Sequence, residues 1–114
     1  MTIKLRDNAI EKSTYIITVS FTDSDGGAVS PKLASWTLKD EDGNIINNRN
    51  SVDIPTPSSE EDIVLTGDDL VLSDITKPYR YLLIEALYDS ITYGNDLSLR
   101  DEARFKISDL KSKS

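Results

Sequence analysis

The chain has no cysteine and no histidine. Without cysteine there is no disulfide, no thiolate nucleophile and no Cys-ligated metal. Without histidine the commonest general base and the commonest metal ligand are missing. Bases are also few: 13 Lys and Arg stand against 20 Asp and Glu, a formal charge of −7. Nucleic-acid faces and binders of anionic membranes need clustered Lys and Arg, so this balance argues against both. No apolar run approaches the roughly 20 residues of a membrane span. The first residues carry Lys4 and Arg6, but no apolar h-region follows and Asp7 arrives early. No secretory signal is expected, and the chain reads as soluble and made in the cytoplasm. What remains is enough for one modest core. Ile, Leu, Val and Phe supply 31 of the 114 residues, above the level that marks disorder.

The clearest pattern is alternation with period 2, the signature of half-buried strands. Over 15–21, Tyr15, Ile17, Val19 and Phe21 share one face and Ile16, Thr18 and Ser20 the other. Over 33–39, Ala34, Trp36 and Leu38 oppose Ser35, Thr37 and Lys39. Short strands are expected at 44–47, 51–54 and 62–66, the last with Ile63 and Leu65 inward. The longest spans 79–88, where both faces are largely apolar and the face of Leu82, Ile84, Ala86 and Tyr88 is the cleaner core candidate. The last covers 102–108, with Ala103, Phe105 and Ile107 inward. Between them lie strong turn signals: Asp23-Ser24-Asp25-Gly26-Gly27, Asp40-Glu41-Asp42-Gly43 and Gly67-Asp68-Asp69. No segment holds a 3.6-residue period, and 70–76 is too short for an independent helix. Residues 90–101 read as a long, polar, mobile loop.

These features predict a single all-β domain, a sandwich of about seven antiparallel strands over 12–109. An N-terminal arm covers 1–11 and a flexible tail 110–114. The order of elements resembles an immunoglobulin-like or fibronectin-type-III-like sandwich. That resemblance implies that Trp36 plugs the core and that Tyr79 or Tyr81 sits near the start of the penultimate strand. The Cys pair of antibody domains is missing, so packing must replace it. A narrower resemblance is to small Ig-like proteins encoded in tailed-phage and prophage structural gene clusters. It is carried by Trp36-Thr-Leu-Lys-Asp-Glu-Asp-Gly-Asn-Ile-Ile-Asn47, Ile63-Val-Leu-Thr-Gly-Asp-Asp-Leu70 and Asp101-Glu-Ala-Arg-Phe-Lys-Ile107. It implies a virion-associated structural or attachment module, found in the virion or in host cytoplasm before assembly. Such a module docks through loops and edge strands on a protein partner or on copies of itself. No catalysis, cofactor, nucleic acid or membrane is implied. The alternative is a cell-surface adhesin or carbohydrate-binding module, which would show several aromatics on one face and calcium-dependent stability.

Several residues invite sharper chemistry. Asp23, Asp25, Asp40, Asp42 and Asn44 raise a calcium reading, but an EF-hand counted from Asp40 puts Ile45 at position 6 and Ser51 at position 12, where Gly and Glu are needed. Plain Asp-Gly turn chemistry is favoured. Gly67-Asp68-Asp69 is best read as a turn in which an Asp side chain caps backbone N–H groups. Glu85 lies in an apolar strand and is the place to look for a raised carboxyl pKa; Glu60, Glu61 and Glu102 are weaker acid–base candidates. A cross-strand pair with Arg80, Arg104 or Lys106 is the plainer expectation for Glu85. Ser35–Lys39 and Ser73–Lys77 could be drawn as dyads, but spacing alone gives them no weight. Gly26-Gly27 lacks the Lys-Ser and helix of a phosphate loop. Arg49, Tyr79 and Tyr93 are the expected partner contacts, because Tyr and Arg combine large area with a polar tip.

Overall fold

Where apolar and polar residues alternate, the backbone is extended and one face of each strand is covered. A computed structural model describes residues 1–7 and 9–109 and contains eight strands. They are β1 (Thr2–Lys4), β2 (Ala9–Ile10), β3 (Thr14–Ser20), β4 (Leu33–Asp40), β5 (Val52–Asp53), β6 (Glu60–Thr66), β7 (Tyr79–Ser90) and β8 (Gly94–Ser108). One 3-10 turn, Gly67–Leu70, follows β6. The tail expected at 110–114 lies outside the described residues.

The strands form two sheets, one in the order β1-β3-β6 and the other in the order β2-β8-β7-β4-β5. Every pair is antiparallel except β2–β8, which is parallel through Ala9↔Ile107 and Ile10↔Ser108. The expectation of about seven antiparallel strands is corrected on both counts. The strand expected at 44–47 is reduced to a single bridge, Lys39↔Ile45, and two are gained in residues 1–11, set apart as an arm by the sequence. They supply an edge strand to each sheet, first β1 beside β3 and then β2 beside β8. Two- and three-residue strands are too short to show alternation. They are held by backbone pairing and by side chains such as Arg6, which donates to the Ile16 carbonyl at 2.7 Å, while the Tyr15 hydroxyl donates to the Arg6 carbonyl.

The two inner faces share one core. Tyr15, Ile17, Val19 and Phe21 meet Ile63 and Leu65 on one sheet, and Ala34, Trp36, Leu38, Leu82, Ile84, Phe105 and Ile107 on the other. Each large aliphatic side chain so buried contributes about 1.5–3 kcal/mol. Leu70, from the 3-10 turn, also reaches this core. Arg80 shares the inward face of β7 and is buried at the edge of that core. Its guanidinium donates to the carbonyls of Val71, Lys77 and Tyr79, each at 2.9 Å. It thereby ties the 71–79 connection to the strand that follows. Burial lowers its pKa, against the opposing pull of Asp40 and Glu41.

Two of the acidic turns are built alike. Asp23 Oδ1 accepts the N–H groups of Asp25 and Gly27, and Asp40 Oδ1 accepts those of Asp42 and Asn44. In each, the glycine three residues on, Gly26 or Gly43, has φ +84°. The leading carboxylates are thus engaged as backbone caps, the turn reading favoured above. An added Cβ at Gly43 would meet nothing within 4 Å, so only its φ resists substitution. Gly43→Ala is expected to cost about 1–2 kcal/mol, read as a fall in the urea midpoint with unchanged m.

Candidate functional site

The feature that departs most from a closed pair of sheets is the β7–β8 hairpin. β4 pairs with β7 only from Asp40↔Arg80 to Leu33↔Leu87. Beyond Leu87 the hairpin continues as two strands, through Tyr88↔Leu97 and Ser90↔Gly94. β8 alone has 15 residues, about 50 Å at 3.3–3.4 Å per residue. The molecule measures 55 × 24 × 21 Å, so its long axis is close to the length of this one strand.

Local chemistry holds the projecting end. Ser90 Oγ accepts the N–H groups of Thr92 and Tyr93, and Gly94 closes the turn at φ +107°. At the register shift between Tyr88 and Ser90, Asp89 Oδ1 accepts the Asp96 N–H at 3.0 Å. Lys32 donates its backbone N–H to the Leu87 carbonyl, and its ammonium pairs with Asp89 at 2.9 Å and with Asp96. One lysine therefore bridges both strands where the third strand runs out. Donating hydrogen bonds to Asp96 and then to Asp89 raises the Lys32 pKa. At the tip Ile91 is fully exposed and Tyr93 is 57 % exposed. The mobile loop expected at 90–101 is thus corrected: it is a tight turn followed by the first eight residues of β8. Leu97 and Leu99 do alternate with polar neighbours, but the stretch is too polar to announce a strand by burial. Its order comes from pairing with β7.

The three expected contact residues lie in three different places. Tyr93 is on the hairpin tip. Tyr79 opens β7 on the outer face of the five-stranded sheet, half-buried, with the Arg104 guanidinium 4.7 Å over its ring. Arg49 is tied inward. Its Nε donates to Asp69 Oδ1 at 2.7 Å and its Nη2 to Oδ2 at 3.4 Å, and its guanidinium lies 5.7 Å from the Trp36 ring. Asp69 is fully buried and also accepts from Asn47 Nδ2 at 2.9 Å and the Thr66 N–H at 3.1 Å. The Thr66 bond is the Asp cap read from the sequence. The link to Arg49 was not legible there, because the two residues are far apart in sequence. Asn47 and Asn48, both at positive φ, turn the chain that brings Arg49 back.

Glu85 pairs with Arg100, Oε2 to Nε at 3.3 Å, across β7–β8. The expected cross-strand pair is present, but with a cation the sequence reading did not name. Glu85 and Arg100 border a shallow hollow of about 400 Å³ with Leu33, Ser35 and Leu87. Among the described residues no group of three or more Asp or Glu side chains is placed to hold a metal ion. No protein-family model matches the chain, and no curated protein or solved structure matches it.

Proposed function

We propose that the chain is a non-enzymatic docking module of Ig-like architecture that meets a protein partner through the tip of its long hairpin. The carrying observation is the pairing of an exposed Ile91 and a largely exposed Tyr93 on a turn whose base is clamped by Lys32. Apolar side chains on a pre-ordered turn lose little entropy on binding, which is what a docking tip needs. The Ig-like reading draws support from the division of the N-terminal segment between the two sheets, and from Trp36 on a central strand at the core. A steric role is favoured by the hollow at Glu85, where the carboxylate faces its own Arg100. The virion setting rests on the three segments that resemble small proteins of tailed-phage structural clusters.

The test is a photo-crosslinking amino acid placed at position 91, in extract or virions from the source that encodes the chain. One discrete adduct with a structural protein is expected, reduced about tenfold or more by Tyr93→Ser, the effect of losing about 1.4 kcal/mol. An adduct pattern no different from that of the same probe at Ser24, on another exposed turn, would count against the reading.

A further inference from the structure

The three-stranded sheet ends on β6, which has β3 on one side and no strand among the described residues on the other. The Phe21 N–H donates to the Ser59 carbonyl and the Gly67 N–H to the Ser13 carbonyl, framing the β3–β6 ladder at its two ends. Bonding alternates residue by residue along an antiparallel pair. Residues 61, 63 and 65 therefore bond to β3, and the backbone groups of Glu60, Asp62 and Val64 face outward. Beside this free edge, on the way to β5 at the edge of the other sheet, lies an open cleft of about 390 Å³. Its apolar lining includes Trp36, Ile54 and Ile63; Asp53, Glu61 and Asp62 supply the charge.

That charge is one-sided. No salt bridge among the described residues reaches Asp53, Glu60, Glu61 or Asp62. Among the described residues Glu60, Glu61 and Asp62 accept only from neutral groups, of Ser20, Ser58 and Thr18. Two nearby cations are engaged elsewhere: Arg49 is held by Asp69, and Arg6 donates to the Ile16 carbonyl and to Thr18 Oγ1, reaching Asp62 only through that hydroxyl. A second copy of β6 is a poor occupant: side by side in parallel it sets acid against acid, and antiparallel in full overlap it sets Glu61 against Leu65 and Asp62 against Val64. The same carboxylates that guard this edge against its own kind attract a cation-bearing strand.

We propose that the β6 edge accepts an extended segment of a partner protein in which Lys or Arg alternates with apolar residues. The segment adds as a fourth strand to the small sheet. Its backbone bonds to Glu60, Asp62 and Val64, its apolar side chains enter the cleft over Ile63 and Trp36, and its cations lie beside Glu60 and Asp62. This site is separate from the hairpin tip and does not depend on it.

The chain has one tryptophan, Trp36, so its fluorescence reports occupancy of the cleft. The probe is a blocked heptapeptide of alternating Lys and Val. A saturable fluorescence change is expected. Binding should weaken about tenfold or more for a Glu–Val peptide, and equally for the Lys–Val peptide N-methylated on alternate amides so that it cannot pair. Val64→Pro, which removes one outward N–H from an edge strand, should weaken binding similarly. If that variant does not fold, the peptide comparison on the unaltered protein still decides. Equal binding of the N-methylated peptide, or no saturable change, overturns the proposal. So does a dimer in sedimentation that Val64→Pro abolishes, because the occupant is then a second copy. Tyr93→Ser should bind the peptide like the parent, so failure here and failure of the hairpin reading are told apart.

Discussion

Replacing Arg49 with Met should lower folding stability by about 2–4 kcal/mol at neutral pH. Asp69 is fully buried, and the guanidinium is its only cationic partner among the described residues. Taking one member from a buried pair costs about 3–5 kcal/mol, because the charge left behind is uncompensated. The lower range applies here because the Arg49 side chain is 38 % exposed and water screens its half of the contact. The pH dependence gives a sharper check. Burial is the largest influence on Asp69 and pushes its pKa up, but Arg49, Asn47 and the Thr66 N–H together outweigh it and hold the carboxyl below its ordinary 3.8. A depressed pKa in the folded state contributes stability above the unfolded value, and that contribution is lost as pH falls through the folded value. Below 3.8 the parent protein therefore loses what Arg49 supplies. The Met variant has no such bond to lose. Urea midpoints at about pH 7 and about pH 3 should show the gap between the two proteins narrowing in acid. A gap that stays constant would mean that Asp69 is not the group Arg49 compensates.

Trp36→Ala should cost about 3–5 kcal/mol. The ring is 8 % exposed, stands on β4 opposite Ile84 of β7, and belongs to the core shared by both sheets. Two sheets held apart by a fixed spacing cannot collapse fully around a lost indole, so a cavity term adds to the lost transfer energy. Trp36→Phe keeps a ring in place and should cost about 1–2 kcal/mol. The two sites in this paragraph and the last also touch, since the Arg49 guanidinium lies over the Trp36 ring. The double variant should be less destabilised than the sum of the singles by about 0.5–1 kcal/mol. Circular dichroism must carry these measurements, because the substitution removes the only tryptophan.

The strands that bury a full face were legible in the sequence. Tyr15, Ile17, Val19 and Phe21, or Leu82, Ile84 and Ala86, alternate because one side of each must meet the opposite sheet, and all are buried. Arg80 breaks that rule on an inward face, and only the three carbonyls gathered around it explain its place. Ile45, expected in a returning strand, forms only a single bridge to Lys39, because the turn at 47–48 draws the chain toward Asp69. Short or mostly exposed elements stayed hidden: β1 and β2 each bury a single apolar residue, Ile3 and Ala9, and the outer part of β8 buries too little to leave a pattern. The candidate surfaces shared that fate in part. Tyr93 was visible as an exposed aromatic, but its perch on a projecting hairpin was not. The free edge of β6 depends on which strands are neighbours, and alternation carries no information on that.

The split of the first eleven residues between the sheets has a mechanical side. β2 and β8 run in the same direction; β2 follows β1 near the start of the described chain, and β8 is its last strand. A pull on both ends loads β1 against β3 first; behind it β2 and β8 are dragged past each other lengthwise, so the hydrogen bonds joining them carry load together and yield together. The tip of the β7–β8 hairpin, pulled outward, would instead open one rung at a time. A module tethered by its ends should withstand tension better than one hauled by its finger.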